Sequence, residues 1–496
     1  MGTIICADRL YSGEGPVQRN IALYLSDGRI RDMGSRDAVV TRHPGSLVLD
    51  KANWLITPAF TDAHDHGRGV SPAAFGAVDQ ALELWIPTLC RVRSSAYAAA
   101  LYDGLLLATS GVSTVLHSHN PASWEQMTEE LVETAKGYND AGLRVILCPP
   151  YVDQNNLVYY QREEFIASLP DDLRQEFLTR LSDCPFSLDR YFQIIEELQQ
   201  RLARQIGAGM VRIQLHPAGF QWCSDETLLE MQAYARDHDL QIHMHMLETK
   251  YQKQYGEKRG IRSVRHLDKL GLLTPRLSLA HMVWADDKDW TLLAKRGVKV
   301  VTNPSSNLRL RSGVMSLQTA VESRVTCAVG LDGCGLDDDQ DYLRELRLAA
   351  CNPARSGVGA RLSPAQVLAM GTTGGAAVAG GKAAGILRRG AAADFVCFDY
   401  NKLCLPFAVP DADPLELLLL RGTRAAVDRV YVAGTCIVRN GHPSASFSLE
   451  EASARLGREL SALTAEGSGG APISSALLDA IGRFYQQSES KGGKRK

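Results

Sequence analysis

His64 and His66 flank Asp65 in this 496-residue chain. On a strand, positions i and i+2 point to the same side, so both imidazoles can converge on one ion. His243 and His245 repeat the spacing, and Glu248 follows three residues on, where the chain leaves the strand. A carboxylate in that place can carry a proton for a metal-activated water without being a ligand itself. His281 closes the apolar run Leu277-Ser278-Leu279-Ala280, and Asp332 closes Val329-Gly330-Leu331. Each residue alone reads as readily as a core or capping group, but together they end one apolar run after another. Imidazole nitrogen and carboxylate oxygen are the donors zinc accepts, with one position left open for a reacting water.

Further candidates surround these. Arg68, in His66-Gly67-Arg68-Gly69, can grip a carboxylate, a phosphate or a ring carbonyl, or form a salt bridge at the rim. Gln80, Trp85, His117, His119, Gln221 and Trp222 fall at strand ends or in loops, and aromatic and amide groups suit a flat heterocycle. His216 and His243 read as structural. His43, His238, His266 and His442 have no supporting context.

The elements that must position these residues follow a repeating plan. Apolar strands are expected at Thr57 to His66, Val112 to His119, Leu143 to Pro149, Met210 to His216, Leu240 to His245, Leu277 to His281, Val298 to Asn303 and Val325 to Asp332. Helical stretches such as Trp124 to Ala141 and Asp225 to Asp237 lie between them. Eight strands alternating with helices fit an α/β fold of the (β/α)8 TIM type, with a doubly wound open sheet as the alternative. Catalytic residues gather at the C-terminal face of such barrels. Residues 1–57 read instead as short strands, with Asp27-Gly28 as a hairpin turn. Residues 385–445 return to that style. A small composite β-sandwich built from both chain ends, with the barrel 58–384 inserted, accounts for both. Residues 446–496 read as a helical extension. Ser448 to Glu451 fits a helix start, Gly467 to Gly470 a break, and the last ten residues a disordered tail.

Composition excludes several classes. The 54 basic and 56 acidic residues give a net charge of −2, which leaves no electrostatic footprint for nucleic acid and no polybasic membrane patch. The cationic end, Lys491 to Lys496, is short, glycine-containing and terminal, and reads as solvated. The eleven cysteines include no Cys-x-x-Cys pair, which excludes zinc ribbons, thioredoxin-like motifs and cytidine-type deaminase sites. A reducing, cytosolic setting is expected. The N-terminus lacks the pattern of a secretory signal, and no apolar run approaches 18 residues.

The chain resembles the amidohydrolase superfamily, in the aminohydrolase and chlorohydrolase branch that holds guanine, cytosine and S-adenosylhomocysteine deaminases and triazine hydrolases. The matching stretches run from Pro58-Ala59-Phe60-Thr61-Asp62-Ala63-His64-Asp65-His66, through Ser110 to Val115, Trp222 to Glu226 and His245-Met246-Leu247-Glu248-Thr249. They continue with Leu279-Ala280-His281-Met282-Val283-Trp284, Asn303-Pro304-Ser305-Ser306-Asn307-Leu308, Gly330-Leu331-Asp332-Gly333 and Ala392 to Val396. The resemblance covers roughly residues 1–445 and departs at Ala59, where the family usually has glycine. It implies that His64, His66, His245 and Asp332 are metal ligands, that Glu248 shuttles protons and that His281 orients or polarises the substrate. Some branches hold two metals bridged by a carboxylated lysine at the end of the fourth strand. Here that strand ends in Gln214-Leu215-His216, and the only lysine between His66 and His245 is Lys136, on a helix surface. One divalent ion is therefore expected, zinc by choice, with iron(II) suiting the same ligands. The implied reaction is hydrolytic deamination of an amino-substituted heterocycle. Asp332 would accept a proton from the water, and Glu248 would protonate the ring nitrogen and then the amine. The alternatives are hydrolysis of another C–N bond, in an alkylamine or cyclic amide, or of a C–Cl bond, and a non-catalytic scaffold on the same fold. The expected partner is a small molecule, with no nucleic acid or membrane, and with self-association through outer helices such as the C-terminal extension.

Overall fold

The structure is a computed structural model, and it describes residues 2–89, 95–154, 157–181, 184–333, 335–351, 358, 361–381, 385–444, 446–465 and 472–492. The chain opens with β1 (Thr3–Leu10), β2 (Gln18–Ser26), β3 (Arg29–Ser35) and β4 (Leu47–Pro58). Asp27 and Gly28 both take positive φ, 50° and 72°, as a two-residue hairpin between twisted strands requires. β4 pairs parallel with β1.

The inserted unit carries β5 (Phe60–Asp65), β6 (Val112–Ser118), β7 (Arg144–Cys148), the two-residue β8 (Pro150–Tyr151), β9 (Val211–Ile213), the two-residue β10 (His216–Pro217), β11 (Ile242–Met246), β12 (Leu277–His281), β13 (Lys299–Thr302) and β14 (Thr326–Val329). The eight longer strands correspond to the eight expected runs. They form two parallel four-stranded sheets, β5-β6-β7-β9 and β11-β12-β13-β14. The expected closed ladder is open at both joints. At one, isolated parallel bridges join Leu215 to Ile242 and Gly219 to His245. At the other, the Asp332 N–H donates to the His64 carbonyl at 2.9 Å and the Leu331 N–H donates to Asp62 Oδ1 at 3.1 Å. The physical reason for the second opening is local. The chain beyond β14 leaves strand geometry, with Asp332 at φ 60°, and Gly330 passes so near His64 that a Cβ there would stand 2.6 Å from the His64 oxygen.

β15 (Phe395–Asp399), β16 (Val427–Val432), β17 (Thr435–Arg439) and β18 (His442–Pro443) return to the first unit. β15 pairs antiparallel with β4, with Val396 opposite Thr57. The expected two-layer sandwich is hydrogen-bonded as one eight-stranded sheet, in the order β18-β17-β16-β15-β4-β1-β2-β3. Trp54, Phe395, Ile5, Leu10 and Leu23 pack in its core. The single long strand expected from Thr57 to His66 breaks at Ala59. The Ala59 N–H bonds the Asp394 carbonyl of the β unit, and the Phe60 N–H bonds the Gly111 carbonyl beside β6. Ala59 is absent from the positive-φ residues, so its methyl group costs no backbone strain.

Between β5 and β14 the strand interiors meet through small and branched side chains, among them Ala63, Leu116, Ile146, Val301 and Ala328. The outer helices begin at side-chain caps. Ser224 accepts from the Thr227 N–H at Asp225–Asp237, and Thr249 accepts from the Gln252 N–H at Lys250–Lys258. The helix expected at Trp124 to Ala141 spans Met127–Asp140.

The C-terminal extension is packed. Ser448 and Glu451 exchange the two hydrogen bonds of a capping box at the start of Leu449–Ala465. A second helix, Ser475–Gly492, buries Leu477, Ile481 and Tyr485 in the main core. The helix that carries these side chains extends to Gly492, into the last ten residues, expected to be a disordered tail. The Gly467 to Gly470 break and residues 493–496 lie outside the described residues. Among the described residues no helix is long and apolar enough to cross a membrane.

Candidate metal centre

His64 and His66 leave β5, His245 leaves β11, and Asp332 follows β14 across the open joint. One ligand atom from each lies within 4.8 Å of all the others. The Nε2 atoms of His64 and His66 both stand 3.1 Å from Asp332 Oδ1. The partners of the Nδ1 atoms explain this aim. His66 Nδ1–H donates to the Ser118 carbonyl at 2.7 Å, and His245 Nδ1–H donates to the Ala218 carbonyl at 2.6 Å. Both tautomers are thereby fixed with the Nε2 lone pair facing inward. His64 Nδ1 meets His243 Nε2 at 2.8 Å, and His243 Nδ1 meets the Ser278 hydroxyl at 2.8 Å, so a chain of donors supports the third ring. His64 Nε2 is buried with no hydrogen-bond partner. An inward lone pair without a donor, beside two imidazoles and a carboxylate, is the donor set a divalent cation satisfies.

Electrostatics agrees. Burial pushes the His64 imidazole down to about 4 and that of His245 well below its usual range, so both rings stay neutral. Burial alone would raise Asp332, but His281 and the adjoining His64 and His66 imidazoles outweigh it and hold the carboxyl well below its ordinary range. Four residues at these strand ends take left-handed backbone, Leu247 at 48°, His281 at 75°, Met282 at 48° and Asp332 at 60°. Such strain collects where surrounding structure fixes a working geometry.

Glu248 and His281 stand over the cluster. His281 Nε2 is 3.8 Å from Glu248 Oε2 and 3.8 Å from Asp332 Oδ2. Its Nδ1 meets Asn307 Oδ1 at 3.0 Å and Asn303 Nδ2 at 3.2 Å. Burial raises the Glu248 carboxyl to about 7, where it can both give and take a proton near neutrality.

The other predicted residues divide. Gln221 and Trp222 sit beside Gly219, whose backbone bridges to His245, and the Trp222 ring lies 6.1 Å from the His245 ring. Arg68 packs over Trp85 at 5.2 Å and against Gly333. The Gln80 amide donates to the Leu84 carbonyl within its own loop. His119 is engaged at both ring nitrogens, with His117 at 3.1 Å and Glu130 at 3.0 Å. His216 is likewise spent, donating from Nδ1 to the His243 carbonyl and accepting from the Ser118 hydroxyl at Nε2. Sequence reasoning missed the roles of Asn303 and Asn307 in holding His281, although their motif was visible. It also passed over Glu83, a charge inside the apolar run Ala81-Leu82-Glu83-Leu84-Trp85, which was the available signal.

The chain matches the family model described as the amidohydrolase family over residues 55–437. It is 28% identical over 439 residues to the 5'-deoxyadenosine deaminase of Methanothermobacter thermautotrophicus, covering 86% of this chain and 91% of that protein. It is 26% identical over 444 residues to the 5-methylthioadenosine/S-adenosylhomocysteine deaminase of Pyrococcus furiosus, covering 87% and 94%. The crystal structure of an adenosine deaminase from Xanthomonas campestris with bound zinc superposes at a TM-score of 0.76 with 22% identity, over 93% of this chain and 98% of that one. That likeness carries the fold, a TIM-type barrel of mixed α/β content.

Proposed function

Because the chain belongs to the amidohydrolase family, we propose that it is a metal-dependent hydrolytic deaminase of an amino-substituted heterocycle. The four inward ligand atoms within 4.8 Å, overlooked by Glu248 and His281, carry the reading. The related deaminases of adenosine derivatives support it. His64, His66 and His245, through Nε2, and Asp332 would hold one ion. The fourth strand offers Gln214 and His216 in place of a bridging lysine, and both His216 nitrogens are engaged. Zinc suits the donors, as would iron(II). When bound, the ion supplies Lewis-acid activation of a water molecule.

The side chains then divide the proton traffic. Asp332 Oδ2 takes a proton from the attacking water. Glu248, titrating near neutrality, gives one to the ring nitrogen, takes one back from the hydroxyl on the reacting carbon and passes it to the departing amine, after which the proton held by Asp332 restores it. His281 Nε2, between the two carboxylates, orients the oxygen that develops at the reacting carbon. Arg68, Trp85, Gln221 and Trp222 frame the ring. Gln80 and His119 act at a distance, through the Leu82–Trp85 turn and the His117 pair. The barrel 58–384 works between the β unit of 1–57 and 385–445 and the helical extension 446–496. The described cysteines are free, in keeping with a cytosolic setting. The test is metal analysis of purified protein followed by ammonia release from amino-substituted purines, pterins, pyrimidines and triazines. About one ion per chain with ammonia release is expected. Chloride or alkylamine as the sole product would overturn deamination, and under about 0.2 ion per chain would overturn metal dependence.

A further inference from the structure

We propose that Glu83 is a specificity-determining residue that accepts a hydrogen bond from an N–H on the substrate edge remote from the carbon that loses its amine; the assignment rests on the deaminase reading above. Glu83 lies in the helical turn Leu82–Trp85 and is 3% exposed. The Thr249 hydroxyl donates to its Oε1, and Thr249 directly follows Glu248, so this carboxylate is tied to the backbone that carries the proton shuttle. Glu83 Oε2 has no partner at hydrogen-bond geometry, and the Tyr159 hydroxyl that acts on this carboxylate is itself buried without one. Buried polar groups are hydrogen-bonded as a rule, and an exception in a working site calls for a ligand.

Other unpartnered groups, near the metal cluster or in the same helical turn, sharpen the chemistry. Trp85 Nε1, Gln221 Nε2 and Trp222 Nε1 are also buried without partners. Gln221 and Trp222 adjoin His245, and Trp85 adjoins Arg68. All three are donors, so they suit carbonyl oxygens or ring nitrogens. Glu83 Oε2 is the acceptor among them, while Glu248 is occupied with proton transfer. The set matches a flat heterocycle that presents both acceptors and at least one N–H besides the leaving amine. A ring with acceptors alone would leave Glu83 Oε2 only the Tyr159 hydroxyl.

Glutamine tests this, because its carbonyl can keep the Thr249 bond and its NH2 then stands where an acceptor stood. Ammonia release is measured for metal-loaded wild type and Glu83→Gln on two matched pairs, 2,6-diaminopurine with adenine and 2-aminoadenosine with adenosine. Members of a pair lose the same amine and differ only in a remote 2-amino donor. The wild type is expected to favour the 2-amino member. Glu83→Gln is expected to lower its kcat/KM roughly 100-fold, mainly through KM, and that of its partner less than about threefold. Glu83→Met, which removes the acceptor without adding a donor, should discriminate in the same sense, and thermal melts report folding. No 2-amino preference in the wild type, or equal losses on both members, overturns the Glu83 assignment. Ammonia release from the wider set of heterocycles tests the deaminase reading separately, so it can stand when this assignment falls.

Discussion

Two His-x-His pairs at neighbouring strand ends have opposite fates. His64 and His66 end β5, and both enter the four-residue cluster proposed to hold the metal. His117 and His119 end β6 beside them, yet their facing nitrogens bond each other at 3.1 Å and His119 turns its last nitrogen to Glu130. Spacing is the same in both. The difference lies in where the second ring nitrogen goes: a carbonyl or a supported imidazole takes Nδ1–H from each ligand and frees Nε2 for an ion, whereas the second pair consumes its own lone pair. Donor bookkeeping therefore separates a ligand from a structural histidine where periodicity cannot.

The largest expected break in that contrast comes from exchanging the two pairs as targets. His66→Ala should leave under about 0.2 ion per chain and abolish turnover, while His119→Gln should keep the metal and cost about 1 kcal/mol of stability. Metal content and thermal melts of both variants check this, and metal loss from His119→Gln would undo the distinction. Glu248→Gln comes next. It should retain the ion and lose about 10²- to 10⁴-fold in kcat, as removal of a proton carrier does; equal loss of metal would show that Glu248 is a ligand. A smaller effect is expected from Ser278→Ala, which strips the last acceptor from the His64–His243 chain. Metal affinity should fall about 10- to 100-fold, measured by competition with a chelator.

The smallest effect contrasts two acids. Asp332 is held ionised, whereas burial raises the Glu345 carboxyl to about 8 despite its bond from the Ser305 N–H. Because the folded value exceeds the unfolded one, the unfolded chain binds fewer protons between about 4.5 and 8. Glu345 thus contributes a loss of stability as pH rises through that window. Glu345→Gln should flatten the pH dependence of chemical unfolding there, and an unchanged slope would assign the acid no such role.

The strand ends were legible because a buried strand is a short apolar run and a polar residue closing it is conspicuous. That marked His64, His66, His243, His245, His281 and Asp332 as candidates, and the family resemblance narrowed them to the set His64, His66, His245 and Asp332. Their second partners could not be read, since the Ser118 and Ala218 carbonyls carry no side-chain signal. The open joint between β14 and β5 also escaped, because it depends on a left-handed Asp332 that any local pattern would read as extended. Glu83 and Tyr485 were missed for a further reason. Each acquires its surroundings from residues far away in the chain, Thr249 for one and the Tyr159 backbone for the other.

The pairing of β4 with β15 sets a timetable for synthesis. Val396 lies opposite Thr57, so the middle of the eight-stranded sheet cannot form until more than 300 further residues have left the ribosome. At about 5–20 residues per second that interval is tens of seconds. Throughout it β1 to β4 present an unpaired apolar edge, the kind of surface on which nascent chains stick to one another. The inserted barrel thus makes the β unit late to be completed, ahead only of the helical extension, and leaves its first four strands dependent on being shielded while they wait.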